Sequence, residues 1–190
     1  MTGWNEQIKK SLGYCGSEVK IAHNVIFTNP SKVFLGNRVR IDPFTLITTE
    51  LETGDNVQVC AGAVLGGGSQ HKITLGDWCF IGYHSQLFCA SESYDGTCGP
   101  VNEYWGSNKI FRGNIKFNDH SGIASQVIVM PGVELLEGCL IGAQSFVYKA
   151  PTGGWAIYKG NPCEFHRMRD KEACLKALNT PGFIKDRSND

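Results

Sequence analysis

Large apolar residues recur at every sixth position along much of the chain. The stretch 117–146 divides into the hexads FNDHSG, IASQVI, VMPGVE, LLEGCL and IGAQSF, and each hexad opens with a large apolar residue. The fifth position of every hexad is small: Ser121, Val127, Val133, Cys139 and Ser145. A period of six fits neither an amphipathic helix, whose apolar positions recur every 3.6 residues, nor a simple amphipathic strand, whose period is two.

The same register extends through the N-terminal half of the chain. Further hexads open at Leu35, Ile41, Thr53, Val59, Leu65, Leu75, Ile81 and Leu87. The period suits short strands joined by tight corners, in which one large inward residue per side fills the core and a small residue lets the chain turn. The alternative is chance spacing in a Gly-rich all-β domain, and the length of the two registers argues against it. The pattern therefore predicts an all-β fold, a parallel β-helix of hexapeptide repeats.

Three hexads make one triangular coil, so like positions of successive coils should stack in three columns. The first column should contain Leu35, Thr53, Leu75, Phe117 and Leu135. The second should contain Ile41, Val59, Ile81, Ile123 and Ile141, and the third Ile47, Leu65, Leu87, Val129 and Val147.

Two insertions interrupt the register. Ten residues separate Leu65 from Leu75, and thirty separate Leu87 from Phe117, where the period requires six. Both insertions fall between the third side and the first, so we expect them to emerge at the same edge of the prism, one coil apart. The longer insertion, about residues 91–114, is an extruded loop with a functional role, a cover for an exposed edge, or both.

A single domain accounts for residues 1–190. The coils are expected over about 18–150, beginning less regularly over 18–34. Residues 151–190 are predicted to form turns and a C-terminal α-helix that starts at about Glu164 and stops before Pro181.

The amino-acid composition argues against several classes of function. The chain of 190 residues carries 18 basic and 18 acidic side chains, and no basic stripe suggests nucleic acid or an anionic membrane as a partner. No apolar run approaches the ~20 residues of a membrane span, and the N-terminus lacks an apolar signal core. We therefore expect a cytoplasmic protein whose eight cysteines are reduced. No CxxC pair occurs, which argues against a structural zinc site.

The hexads and the segment WAIYKGNPCEF at 155–165 carry a resemblance. Together they resemble the left-handed β-helix acyltransferases of the hexapeptide-repeat superfamily, in the branch that acetylates sugars, nucleotide-linked amino sugars and surface-polysaccharide sugars. The likeness covers roughly residues 33–170. The resemblance departs from the family pattern at Cys163, where alanine is usual, and at Glu164, where a basic residue commonly follows.

The resemblance implies left-handed coils, a homotrimer with active sites between neighbouring subunits, and acetyl-CoA as the acyl donor beside the later coils. The acceptor would be a sugar or nucleotide sugar, and the product would enter polysaccharide biosynthesis. Cofactor contacts are then expected at Ser125, Gly142, Ala143, Lys149, Lys159 and Asn161. No metal is expected.

Acyl transfer from a thioester needs a base that takes the proton of the attacking amine or hydroxyl, and histidine suits that role. We predict His120 as this base, because it follows directly on the long loop and should lie at the loop's base, with Asp119 orienting its ring. His84 occupies the same hexad position one coil earlier and is the alternative base or a substrate contact. His71, in the shorter insertion, is a further candidate for substrate contact.

The entrance to the long loop, CASESYDG, resembles the family's loop entrance and supplies polar and aromatic side chains. Glu92 and Asp95 are predicted to bind sugar hydroxyls or a substrate amine, and Tyr94 to stack on the sugar or base. Asn118 is a weaker candidate for the same role, and loop residue Cys98 matches no family pattern. Whether the acceptor is an amine or a hydroxyl, and how long the acyl chain is, stay open.

Two other functions are compatible with a β-helix. The coil could be a non-catalytic scaffold. It could also be a γ-type carbonic anhydrase, with His71, His84 and His120 around zinc, although the histidine spacing of that family is absent. Serine acetyltransfer ranks low, because only about fifteen residues precede the coil.

Overall fold

The computed structural model describes residues 4–68, 70–92 and 110–178 of the chain. These residues form a three-sided parallel β-solenoid of about six turns with a short C-terminal helix. The repeat therefore has the structure that the six-residue period predicts. We call the three sides side 1, side 2 and side 3 in chain order. The corner between two sides is named after them, as the 1–2 edge, the 2–3 edge and the 3–1 edge.

Each side is one sheet whose parallel strands come from successive coils, and side 2 ends in one additional antiparallel strand. Side 1 contains β1 Tyr14–Cys15, β4 Val33–Leu35, β7 Glu50–Thr53, β10 Lys72–Leu75, β15 Ile115–Phe117 and β18 Glu134–Leu135. Side 2 contains β2 Lys20–Ile21, β5 Arg40–Ile41, β8 Gln58–Val59, β11 Phe80–Ile81, β16 Gly122–Ile123, β19 Leu140–Ile141, β21 Ala156–Lys159 and β22 Glu164–Met168. Side 3 contains β3 Ile26–Phe27, β6 Leu46–Ile47, β9 Val64–Gly66, β12 Gln86–Phe88, β17 Ile128–Val129 and β20 Phe146–Val147.

The remaining elements lie outside the three sheets. Helix α1, Glu6–Lys9, precedes the first coil, and Ile8 and Leu12 pack against the core there. A 3₁₀ turn spans Pro30–Lys32, an antiparallel pair joins β13 Ala90–Glu92 to β14 Ile110–Arg112, and helix α2 spans Lys171–Leu178. No helix in the described ranges is long and apolar enough to cross a membrane.

The three predicted columns are confirmed residue by residue. Leu75 pairs with Thr53 below it and Phe117 above it on side 1, and Ile81 pairs with Val59 and Ile123 on side 2. The third column has the same register, and all fifteen predicted column residues are buried. Side 1 also buries a second row, Leu51, Ile73 and Ile115, two positions before its column residues, so the interior holds more side chains than the six-residue period predicts.

The corners are made by residues in the left-handed backbone region. At the 1–2 edge this position is held by Glu18, Arg38, Asn56, Trp78 and His120, with φ between 54° and 60°. At the 2–3 edge it is held by Phe44, Gly62, His84, Gln126 and Gln144. This region is small and unfavourable for most residues, so its use by such different side chains shows that the corner itself requires it.

Polar side chains form a ladder along the 1–2 edge. The backbone N–H of Ser17 donates to Oδ1 of Asn37 (2.9 Å), and the N–H of Asn37 donates to Oδ1 of Asp55 (2.8 Å). The N–H of Asp55 donates to Asp77 (2.7 Å), and that of Asp77 to Asp119 (2.8 Å). This carboxylate ladder satisfies corner amides that the sheets leave without partners.

The outer surfaces of the sides differ in polarity. Side 1 carries the ion pairs Lys32–Glu50 (3.6 Å), Lys72–Glu52 (2.8 Å) and Lys116–Glu134 (3.2 Å). The outward residues of side 3 are almost all apolar; they are Ile26, Leu46, Val64, Gln86, Ile128 and Phe146. Charged pairs suit a surface in water, whereas a continuous apolar stripe on a regular sheet suits a surface that is covered.

The C-terminal segment corrects the sequence prediction. The pattern from Glu164 was expected to be helical, but Glu164–Met168 is strand β22, antiparallel to β21. The pairing covers the open end of side 2, where β21 would otherwise be an edge strand. The helix begins later, after Asp170 accepts the N–H of Ala173 (2.9 Å) as an N-cap. The first strand, β1, also precedes the predicted start of the coils.

The column packing predicts a strong position dependence for leucine truncation. Leu65 is fully buried in the third column, so Leu65→Ala should lower the free energy of unfolding by about 2–5 kcal/mol. Leu136 is 37% exposed, and Leu136→Ala should lower it by less than about 1 kcal/mol. Chemical denaturation followed by circular dichroism measures both, and equal losses would contradict the packing.

The ladder predicts a specific acid sensitivity. The Asn37 backbone N–H, then its side-chain amide, lower the pKa of Asp55. A lowered folded-state pKa adds stability that is complete above the unfolded-state pKa of about 3.9 and is lost as the pH falls below it. Between pH 5 and pH 3, wild type should therefore lose more thermal stability than Asp55→Asn. Glu172→Gln removes the same charge from an exposed helix position and should keep the wild-type pH dependence.

Candidate active site

The solenoid distributes the predicted site residues over three separate edges. His120, Asp119 and Asn118 lie at the 1–2 edge. His71 and Glu92 lie at the 3–1 edge, with the base of the long loop. His84, Ser125, Gly142, Ala143, Lys159 and Asn161 lie at or beside the 2–3 edge. One subunit alone therefore does not bring the three groups together.

The imidazole of His120 is held in an aromatic contact. Its ring centroid lies 5.6 Å from that of Trp155, at an interplanar angle of 37°. Gly138 lies between them along the edge, and the indole of Trp155 occupies the space that a side chain there would fill. The guanidinium carbon of Arg169 lies 5.2 Å from the centroid of the Trp155 ring. The same guanidinium donates to the carbonyl oxygens of Gly138 (2.6 Å) and His120 (3.1 Å).

Two expectations about His120 are wrong. The base of the long loop is at the 3–1 edge, and His120 follows the whole of strand β15 on the next corner. Asp119 does not hydrogen-bond to the His120 ring in the described part of the chain, since its carboxylate accepts the N–H of Asp77 in the ladder. The corner geometry turns adjacent side chains away from each other, which the sequence pattern did not reveal.

Asn118 is also occupied by structural contacts. Its amide donates to Oε1 of Glu134 (2.9 Å) and to the carbonyl oxygen of Leu135 (2.8 Å) in the next coil. The first of these bonds, with help from Lys116, lowers the pKa of Glu134. A cavity of about 290 Å³ lies beside this edge, between Trp78, Phe80, His120 and helix α2.

The two insertions meet at the 3–1 edge, as predicted. The N–H of Lys72 donates to Oδ1 of Asn114 (3.1 Å), and the N–H of Cys89 donates to the carbonyl oxygen of Gly66 (2.8 Å). His71 is half-buried here, and its carbonyl oxygen accepts the hydroxyl of Thr49. Glu92 is exposed at the end of β13. Tyr94 and Asp95 lie outside the described residues.

The 2–3 edge brings together all the residues expected to contact the cofactor except Lys149. Ser125 and Ala143 occupy the same corner in successive coils, and the N–H of Gln144 donates to the carbonyl oxygen of Ser125 (3.0 Å). Gly142 faces the start of the Lys159 side chain in the next coil. Asn161 is exposed beyond Lys159, near the hydrogen bond in which the N–H of Cys163 donates to the carbonyl oxygen of Phe146. Small side chains along this edge leave the backbone open to a long, narrow ligand.

His84 lies on the same edge, one coil before Ser125. Its side chain is exposed, and its ring lies over Gly62, where it fills the space of an absent side chain. Gly62 itself has a φ of +73°. Lys149 lies elsewhere, after strand β20 at the 3–1 edge, with Nζ 5.1 Å over the ring of Tyr148.

Three cysteines beside these edges are protonated, and the described residues contain no group of metal ligands. Burial raises the pKa of Cys79 to about 11, that of Cys139 to about 12 and that of Cys163 to about 11, so these groups are protonated thiols at neutral pH. Within residues 4–68, 70–92 and 110–178, no cluster of three or more His, Cys, Asp or Glu side chains could hold a metal ion. His71, His84 and His120 lie on three different edges, unlike a converging zinc site.

Sequence reasoning missed Trp155 and Gly62. Trp155 follows the break in the hexad register, so no column position identified it. Gly62 is the fourth residue of the hexad VCAGAV, which is the position of His84 and His120 in their own hexads. Comparison of fourth positions between adjacent coils would have placed His84 against a glycine.

The comparisons with known proteins agree with this architecture. No family model matches the chain. It is 28% identical over 188 residues to the dTDP-4-amino-4,6-dideoxy-D-glucose acyltransferase of Escherichia coli, covering 93% of this chain and 94% of that protein. It superposes on AntD, an N-acyltransferase from Bacillus cereus in complex with dTDP and coenzyme A, with a TM-score of 0.84 and 24% identity over 94% of this chain and 96% of that one.

More distant structures share the fold. A maltose O-acetyltransferase from Clostridium difficile 630 superposes with a TM-score of 0.54 and 18% identity, over 86% of this chain and 73% of that one. A further structure of AntD contains dTDP and 3-hydroxybutyryl-CoA. The chain-long sequence relative is thus a sugar acyltransferase by name, and the solved structures share the fold of this chain.

Proposed function

We propose that the protein transfers an acyl group from a coenzyme A thioester to the amino group of a nucleotide-linked amino sugar. The observation that carries the proposal is the chain-long similarity to the dTDP-4-amino-4,6-dideoxy-D-glucose acyltransferase. The long insertion supports it, since a sugar nucleotide needs a larger binding surface than the corners of a prism offer. Amide formation is favoured over ester formation because the acceptor in that relative's name carries a 4-amino group.

Coenzyme A is proposed to bind along the 2–3 edge. The small residues Ser125, Gly142 and Ala143 leave the backbone accessible there, so a pantetheine arm can lie against amide groups. Lys159 supplies a positive charge beside Gly142 for the phosphates. The thioester end would then point toward the earlier coils of the same edge.

A homotrimer completes the site in this proposal. Side 3 has the apolar outer surface, so burial of that surface would favour association. Three prisms with side 3 turned toward a threefold axis bring the 2–3 edge of one subunit against the 3–1 edge of the next. His71, Glu92 and the strands at the base of the long loop would thereby face the cofactor of a neighbour, whereas the 1–2 edge would point outward.

The reaction balances without a metal or a covalent enzyme intermediate. The amine nitrogen attacks the thioester carbon, a C–N bond forms, and the C–S bond breaks. One proton leaves the nitrogen, and the released thiolate takes up one proton. His120 and His84 are the candidates for the group that moves this proton.

The acyl group is proposed to be short and acetyl-sized or slightly larger. The sequence predicts acetyl-CoA from its resemblance, and AntD has been crystallised with 3-hydroxybutyryl-CoA. A panel of acyl-CoA thioesters distinguishes these donors.

The activity is tested by following thiol release from acetyl-CoA and 3-hydroxybutyryl-CoA. Acceptors are dTDP-4-amino-4,6-dideoxyglucose, its hydroxyl counterpart, a maltose-type sugar and serine. We expect turnover with the amino sugar and at least about 100-fold less with the hydroxyl counterpart, because the amine is the stronger nucleophile. Equal or greater turnover with a plain sugar would replace N-acylation by O-acylation.

Assembly is tested by placing one charge on either of two sides. Ile128→Glu puts a carboxylate in the apolar outer column of side 3, and Thr74→Glu puts one on the ion-paired surface of side 1. Light scattering should give the mass of three chains for wild type and Thr74→Glu, and of one chain for Ile128→Glu. Loss of activity should accompany dissociation. A monomeric wild type with full activity would refute the shared site.

A further inference from the structure

The two candidate histidines sit in equivalent corner positions but in different surroundings. Both have left-handed backbones, with φ of 56° for His84 and 60° for His120. Both have a glycine of positive φ in a neighbouring coil of the same edge, Gly62 beside His84 and Gly138 beside His120. The two corners can therefore be compared as a matched pair.

The glycines have different effects on the histidines. At Gly138, the freed space is filled by the indole of Trp155, which then contacts His120 together with the Arg169 guanidinium. At Gly62, the freed space is filled by the imidazole of His84 itself, and Nδ1 and Cε1 are the nearest ring atoms. His120 is thus held beneath an aromatic and cationic cover, whereas His84 rests on the backbone with its outer surface in solvent.

The position along the solenoid also separates them. His84 lies one coil before Ser125 on the edge that carries Gly142, Ala143 and Lys159. His120 lies on an edge that shares none of these residues. The His84 ring packs against the backbone of its own edge, which orients it, and its exposed side can contact a ligand bound along that edge. A general base needs both properties, a defined orientation and access to the substrate.

We infer that His84 is the residue that accepts the proton of the attacking amine, and that Gly62 is a positioning residue that seats its ring. The inference rests on the proposed function. Neutral His84 takes the proton that leaves the nitrogen as the C–N bond forms, and returns it to the coenzyme A sulfur as the C–S bond breaks. The imidazole is neutral again after each turnover, and no other reactant is required.

Gly62 has this role because a side chain there would occupy the place of the ring. A Cβ on Gly62 would overlap the His84 imidazole, so the ring must move away from its seat in Gly62→Ala. Gly138→Ala is the matched control, since it imposes the same backbone conformation and displaces the Trp155 ring at the other corner. Any general cost of a non-glycine residue at a left-handed corner is common to both variants.

The experiment compares full-length His84→Ala, Gly62→Ala, their double variant, His120→Ala and Gly138→Ala with wild type, using the acyl-CoA and amino sugar that wild type turns over best. His84→Ala should lose about 10²–10⁴-fold in kcat/KM, with partial recovery on addition of imidazole. Gly62→Ala should lower kcat about 10-fold or more with KM within about threefold, and should add nothing to His84→Ala. The loss for His120→Ala should be smaller than the loss for His84→Ala, and Gly138→Ala, the matched control, should stay within about fivefold of wild type.

Three results would overturn the inference. In the first, Gly62→Ala has the wild-type kcat. In the second, the loss of activity in the double variant equals the product of the losses in Gly62→Ala and His84→Ala. In the third, only His120→Ala and Gly138→Ala lose activity. Thermal unfolding of all variants identifies any that fail to fold, and His84→Asn, which tolerates a left-handed corner, replaces His84→Ala if that variant does not fold. Failure of wild type to turn over any amino sugar would overturn the proposed function and this inference together. An active wild type with an unaffected His84→Ala would overturn the inference alone.

Discussion

The packing of inward residues in register determines the rest of this structure. Each coil contributes one buried column residue from each side, with a second buried residue from side 1, so a coil closes only if these positions are in register. Backbone hydrogen bonds then run between coils, and they hold like positions directly above one another. The same constraint forces a corner after every short strand, and the corners of the 1–2 and 2–3 edges adopt left-handed backbones with very different residues.

This constraint explains which parts of the sequence could be interpreted directly. Column residues such as Leu75 and Ile81 were predicted with their partners, because the buried positions of a solenoid recur every six residues and those of a helix or a simple strand do not. The meeting of the two insertions at one edge followed from the same register. The end of the solenoid could not be predicted in this way. Glu164–Met168 has an apolar spacing that a helix also shows, and its strand conformation comes from pairing with β21, a tertiary effect.

The predictions for the site were less accurate, because the six-residue register determines the edge at which a residue lies but not the side chains that surround it. His120 and His84 occupy the same hexad position, and sequence favoured His120 because it is close to the loop along the chain. In space the loop joins at another corner, and Asp119 belongs to a ladder that begins at Ser17. Chain proximity misleads in a solenoid, since residues six apart lie on different sides while residues one coil apart are neighbours.

The separation of the candidate residues over three edges is the reason for proposing a shared site. A compact enzyme gathers catalytic groups in a cleft, whereas the interior of this solenoid is filled by Phe117, Ile81 and their columns. The proposed trimer would form a concave site between the prisms. The polarity of the sides favours that arrangement, because ion pairs such as Lys116–Glu134 suit a surface in water, whereas Ile128 and its column would lose contact with water on association. Packing of side 3 would then join the edge with the small residues to the edge at the base of the loop, so the apolar stripe that stabilises the proposed assembly would also form the site.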